Sequence, residues 1–132
     1  MNETLKNIES FHGHLGPYAV LGYKMGKIAN ERLGDDPFSK TAKVYTGTKP
    51  PLSCIIDGIQ LSSSCTLGKG RITVEDNDQA KAEFTSKNND KITIFLKSEI
   101  RQEIETTVTQ ENIIEYSERI YSKPDEELFE IL

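Results

Sequence analysis

The 132-residue chain is 36% hydrophobic and 28% charged, with a net charge of −5 and no tryptophan. This is the composition of one soluble globular domain with a hydrophobic core of its own. The acidic excess, concentrated towards the C-terminus, argues against a phosphate-backbone partner, so no nucleic acid is expected. No apolar run reaches membrane-spanning length, so no membrane is expected either. The opening Met1-Asn2-Glu3-Thr4-Leu5-Lys6 has no signal-peptide core, which predicts a cytoplasmic protein. Its two cysteines, Cys54 and Cys65, are then expected to be reduced thiols rather than a disulfide.

In chain order, residues 2–10 predict a short opening helix with Leu5 and Ile8 on one side. Next comes Phe11-His12-Gly13-His14-Leu15-Gly16-Pro17-Tyr18, which holds both histidines of the protein. Two residues apart in an extended segment, their rings would point the same way. Pro17 suits the first turn of a helix, and helix N-termini favour anions and thiolates. Alone, the motif reads either as a functional turn or as a structural one with two partly exposed histidines. From Pro17 to about Leu33, Tyr18, Leu21, Met25 and Ile28 fall at helical spacing. Gly22 and Gly26, four apart on one stripe, suggest close approach of another backbone, such as a partner helix. Gly34 and Asp35-Asp36-Pro37 end the helix.

Residues 41–47 predict a strand. A second helix, roughly Pro51–Leu61, is apolar on most sides and carries Cys54, Asp57 and Gln60 along one stripe. A Ser/Gly loop containing Cys65 follows. Three strands come next, at about 71–75, 81–86 and 91–97, and their turns suggest an antiparallel meander. Ser98 is a good N-cap for a helix around Ile100 and Ile104. A longer helix runs from Thr109 or Gln110 to about Tyr121, and 125–132 predicts a final amphipathic turn or two.

The chemistry-bearing candidates are His12, His14, Cys54, Asp57 and Cys65. Imidazole and thiolate are the usual ligands of zinc and similar metals, and three or four make a site. All four His and Cys residues fall at loop–helix boundaries. A helix N-terminus also lowers a thiol pKa, which would favour the reactive form of Cys54. Against this, a lone cysteine in an apolar helix is often a small core residue. Asp57 reads as a cap, as a partner for a lysine such as Lys69, or as a carboxylate that orients a metal-bound histidine. Gly68-Lys69-Gly70 lacks the frame of a phosphate-binding P-loop.

Phe11-His12-Gly13-His14-Leu15-Gly16-Pro17, followed by Gly22-Tyr23-Lys24-Met25-Gly26, resembles the opening motif of the formylmethanofuran dehydrogenase E-subunit family. Cys54-Ile55-Ile56-Asp57-Gly58-Ile59-Gln60 and Ser64-Cys65-Thr66-Leu67-Gly68-Lys69-Gly70 resemble its second motif. The resemblance covers roughly residues 8–75. It implies an α+β fold, a helix–strand–helix–three-strand core with a mixed sheet packed against helices. That core matches the pass along the chain, with C-terminal helices added. The whole of 1–132 is then a single domain, with a metal-binding core at about 8–97 and a helical extension at about 98–132. The resemblance also implies a bound zinc or other divalent transition metal, with His14, Cys54 and Cys65 as first ligands, His12 next and Asp57 as orienter. Many members have Cys-Pro-Gly where this chain has Gly16-Pro17-Tyr18, and longer members add a zinc ribbon that is missing after Cys65.

On that resemblance the expected function is an accessory protein or subunit related to formylmethanofuran dehydrogenase in one-carbon, methanogenic metabolism. It would associate with the other subunits and act on a small-molecule substrate at a His/Cys mononuclear site. Asp57, Lys69 and Tyr18 are the candidate polar helpers. The alternative is a non-catalytic dimeric interaction module with a structural metal. A third reading makes Cys54 a reactive thiol assisted by His14. The glycine stripe and the apolar chain end predict a homodimer.

Overall fold

Helix α2 is where local preference and packing agree most fully. In the computed structural model, which describes residues 1–132, α2 runs Pro17–Leu33 with Pro17 in its first turn and Gly34 as its C-cap. Before it, α1 spans Glu3–His12. Asn2 caps α1 by accepting from the Leu5 N–H at 2.9 Å, and Gly13 ends it at φ +96°. His12 is thus the last residue of a helix, not part of an extended segment. The local reason is that Gly13 takes the left-handed conformation and its N–H closes on the Glu9 carbonyl at 2.8 Å.

Helix α3 (Cys54–Ser63) starts three residues later than the sequence pattern suggests, after a turn through Pro51 and Leu52. It lies against α2 at backbone contact. A Cβ on Gly22 would collide with the Ile55 carbonyl, one on Gly58 with the Ala19 carbonyl, and one on Gly26 with the Ser62 hydroxyl. The partner that the Gly22/Gly26 stripe calls for is therefore α3 of the same chain. One of the two patterns behind the homodimer expectation is accounted for within a single copy.

Five strands form one mixed sheet in the order β2-β1-β3-β4-β5, with β1 Lys40–Val44, β2 Ile72–Val74, β3 Lys81–Ser86, β4 Lys91–Leu96 and β5 Phe129–Ile131. β1 pairs with β2 in parallel, Ala42 opposite Ile72, and every other pair is antiparallel. The expected meander of three strands is corrected here, because β1 inserts between β2 and β3. A parallel pair needs a crossover, and α3 supplies it. Val44, Ala82, Phe84 and Ile94 are fully buried on the face turned to the helices. The opposite face is half-buried and polar, and Lys81 lies 4.3 Å from the Tyr45 ring centroid there.

The C-terminal third holds α4 (Ser98–Thr107), α5 (Ile113–Ser122) and the short α6 (Asp125–Leu128). α5 begins later than its periodicity predicts. The Asn112 side chain accepts from the Thr109 N–H at 2.8 Å and donates to the Thr107 carbonyl at 2.8 Å, which fixes a turn instead. Lys24 ties down the far end of α5 by donating to the Tyr121 and Lys123 carbonyls at 2.9 and 3.0 Å. The last residues are not an amphipathic turn alone. Phe129–Ile131 forms β5 beside β4, with Leu128 and Phe129 buried. No helix is long and apolar enough to cross a membrane.

Candidate functional site

The N-terminus of α3 follows the carboxyl end of β1, a position at which open sheets with helical crossovers commonly place ligands. There the end of α1, the start of α2 and the start of α3 meet α4 and the start of α5 around a cavity of about 320 Å³. Its apolar walls include Pro17, Ala19, Ile104, Val108 and Ile113. Its polar lining is His12, His14, Tyr18, Cys54 and Glu105.

His12 is the most constrained of these groups. Its Nδ1 lies 2.6 Å from Asp57 Oδ2, and its side chain is 10% exposed. An ionised carboxylate only accepts, so Nδ1 carries the donated proton and the neutral ring keeps a lone pair on Nε2. That Nε2 is buried without a hydrogen-bond partner. The His14 ring stands 4.7 Å away, centroid to centroid, at 39°. Gly16 leaves it that place, since a Cβ there would press on His14 Cε1 at 3.3 Å.

Cys54, the first residue of α3, is half-buried in the same cavity. Burial pushes its thiol up, and the Asp57 charge one turn along adds to the rise. The shift runs opposite to the lowered thiol expected from the helix terminus, and its causes are desolvation and a neighbouring carboxylate.

Cys65 and Lys69 are not brought to this cavity. Cys65 lies past the opposite end of α3, fully buried, with its Sγ 3.5 Å from the Lys40 carbonyl and its N–H donating to Ser63 Oγ at 3.1 Å. Lys69 sits with the Phe38 ring, 5.1 Å from its centroid. The whole length of α3 separates Cys65 from the histidines. The structure thus gathers His12, His14, Cys54, Asp57 and Tyr18 and sets two of the sequence candidates apart. As the side chains stand, no three of His, Cys, Asp or Glu form a group that could hold a metal ion. The donors share a cavity rather than a point.

Sequence reasoning missed the far wall. Arg101 donates through Nε to Glu105 Oε1 at 2.9 Å, and through its two terminal nitrogens to the Asp78 carbonyl and Oδ1 at 3.0 and 3.1 Å. The i,i+4 spacing of Arg101 and Glu105 is visible in the sequence, but nothing there says which way it faces. Tyr18, 3% exposed, has its hydroxyl pKa raised by burial and next by the Glu105 charge, against the opposing pull of Arg101. Behind it the Tyr116 hydroxyl donates to Glu103 at 2.7 Å, and burial and that carboxylate hold it well above the usual phenol range.

A mixed sheet with helices on one face and a small cavity at the head of its crossover helix defines an α+β protein. The chain belongs to the FmdE family: the family model described as "FmdE, Molybdenum formylmethanofuran dehydrogenase operon" matches residues 11–130. The match runs through both C-terminal helices that wall the cavity. The fold is shared with the crystal structure of an FmdE-like protein of the tungsten formylmethanofuran dehydrogenase type from Syntrophus aciditrophicus. That similarity has a TM-score of 0.74 at 22% identity and covers 98% of this chain and 69% of the other. A relative from Archaeoglobus fulgidus described as a probable S-adenosyl-L-methionine-binding protein is 31% identical over 74 residues, 54% of this chain. The chain spans 20% of that relative's length.

Proposed function

We propose that this FmdE-family chain is a metal-dependent accessory protein or subunit related to formylmethanofuran dehydrogenase. In this reading His12, His14 and Cys54 hold one divalent transition metal, zinc foremost. The observation that carries it is His12, whose Nδ1 is fixed by Asp57 while Nε2 is buried and unpartnered in a cavity shared with a second imidazole and a thiol. Two imidazoles and a thiol are a zinc donor set in kind. Bringing them to one point requires His14, an exposed residue between two glycines, or Cys54 to turn. Cys65 is left out of the set.

Held by His12, His14 and Cys54, a metal would supply Lewis-acid polarisation. The chain's own residues do the rest. Asp57 holds His12 in one tautomer and orientation. The apolar walls limit water. Tyr18, its hydroxyl pKa raised, stays protonated at neutral pH and offers a donor. The burial that raises the Cys54 thiol also favours this reading over a free nucleophile, because it suppresses thiolate unless a cation stabilises it.

The deciding experiment is elemental analysis of tag-free protein, wild type against His12→Ala, His14→Ala, Cys54→Ser and Cys65→Ser, with circular dichroism alongside. The reading expects about one metal per chain. It expects loss in the first three variants with the fold intact, and retention in Cys65→Ser. Loss of fold together with metal would favour a structural metal in an interaction module. No stoichiometric metal after reconstitution under reducing conditions would overturn the reading. S-adenosyl-L-methionine, the ligand named for the Archaeoglobus relative, is the first small molecule to titrate. Light scattering tests the homodimer, and co-purification with the other dehydrogenase subunits tests the association.

A further inference from the structure

We infer that this cavity recognises a small ligand bearing a protonated amine on an apolar stem, with Glu105 as the residue that selects it. The inference rests on the reading of the cavity as the functional site, but not on the metal. Glu105 is held rather than loose: Arg101 engages one carboxylate oxygen, and Asp78 engages Arg101 through both its carbonyl and its side chain. Arg101 takes only Oε1 of this carboxylate, which leaves Oε2 for a ligand. The Asp78–Arg101–Glu105 chain has two carboxylates to one guanidinium, so its net charge is negative. No lysine or arginine lines the cavity.

The rest of the lining fits an alkylammonium better than an anion. Tyr18 lines the same cavity, and an aromatic ring together with a carboxylate attracts ammonium groups. Ile104 and Val108 flank Glu105 along the chain, and Pro17, Ala19 and Ile113 complete a wall for a hydrocarbon stem. A volume of about 320 Å³ lies at the lower end of small-molecule pockets, roughly 300–1,000 Å³, which suits a short chain rather than a cofactor. The buried and unpartnered Nε2 of His12 lines the same cavity. A bound molecule thus has two unlike polar poles to bridge, a carboxylate and an imidazole.

The test titrates n-butylammonium, n-butanol and butanoate separately into ¹⁵N-labelled protein, with chelator present so that no metal contributes. Amide shifts are followed at Tyr18, Ile104 and Glu105. Butylammonium is expected to bind about tenfold more tightly than butanol, with butanoate weakest. Glu105→Gln is expected to level the three. Glu105 is 55% exposed, so this variant keeps the fold. Val108→Phe, which fills the cavity, is expected to abolish all three shifts. Equal binding of the three probes, a preference that survives Glu105→Gln, or no shift with any probe would overturn the inference. Loss of stoichiometric metal with the ammonium preference intact refutes the metal reading alone. The reverse result refutes this inference alone.

Discussion

A cysteine lies at the start of α3 and another just past its finish, and their surroundings are opposite. At the start, Cys54 is half-buried beside an imidazole with an unpartnered nitrogen, and Asp57 reaches out of the helix to hold that imidazole. At the finish, Cys65 is fully buried. Its Sγ, its N–H and the neighbouring Ser63 hydroxyl, which donates to Ile59 at 2.6 Å, all have partners. Polar groups in a finished piece of core are satisfied. His12 Nε2 is left over beside a cavity, whereas the leftover oxygen near the finish, Asn30 Oδ1, belongs to an amide that donates to the Ser62 carbonyl. Identical residue types near the two ends of one helix therefore say little until their partners are known.

The sharpest way to break the contrast is to push α3 off α2, because both ends depend on that seam. Gly58→Ala places a methyl against the Ala19 carbonyl and the Tyr23 amide. It is expected to destabilise the protein by about 3 kcal/mol or more, read by chemical denaturation. Cys65→Ser is next. A hydroxyl in that closed environment is expected to cost about 1–3 kcal/mol while metal content stays at the wild-type level. Cys54→Ser should do the reverse, shifting stability by less than about 1 kcal/mol and losing the metal.

Asp57→Asn removes the carboxylate from His12 without removing a ligand. Metal affinity is expected to fall about 10- to 100-fold by competition with a chelating dye, with the melting curve of the metal-free protein nearly unchanged. The smallest effect is on labelling. In metal-free protein, iodoacetamide is expected to modify Cys54 slowly at neutral pH and faster as pH rises, while Cys65 reacts only after unfolding. The sign follows from burial. Folding favours the neutral Cys54 thiol, so that contribution to stability is full at neutral pH and is lost as pH climbs through and beyond the ordinary thiol range. Equal labelling of the two thiols would erase the contrast.

What the sequence made legible was local. Helix α2 and strand β3 run where their periodicity and turn residues put them, because Pro17, Gly34 and the flanking turns act over a few residues. The pairing of Gly22 with another backbone was legible as well, but not whose backbone it was. Three things needed distant partners. β2 joins β1 rather than β3. β5 is only three residues long and is a strand only because β4 lies beside it. The Glu105 wall is placed by Ile104, buried in the core, and by Asp78, in the turn between β2 and β3, which holds Arg101. Within the candidate site, His12, His14, Cys54, Asp57 and Tyr18 were readable from motif and spacing. Cys65 was not separable from them, since a buried thiol and a ligating thiol look alike until burial is known.

The parallel β1–β2 pair has a consequence for how the protein comes into being. Antiparallel neighbours such as β3 and β4 zip from a tight turn. β1 and β2 meet only after the whole segment containing α3 has closed on itself. Within that segment the glycine seam sets α3, and with it Cys54 and Asp57, against α2. The cavity draws its walls from His12 to Ile113, so it is complete only when segments far apart in the chain have packed together. His12 and Asp57 are 45 residues apart, so their contact requires α3 to dock beside α1.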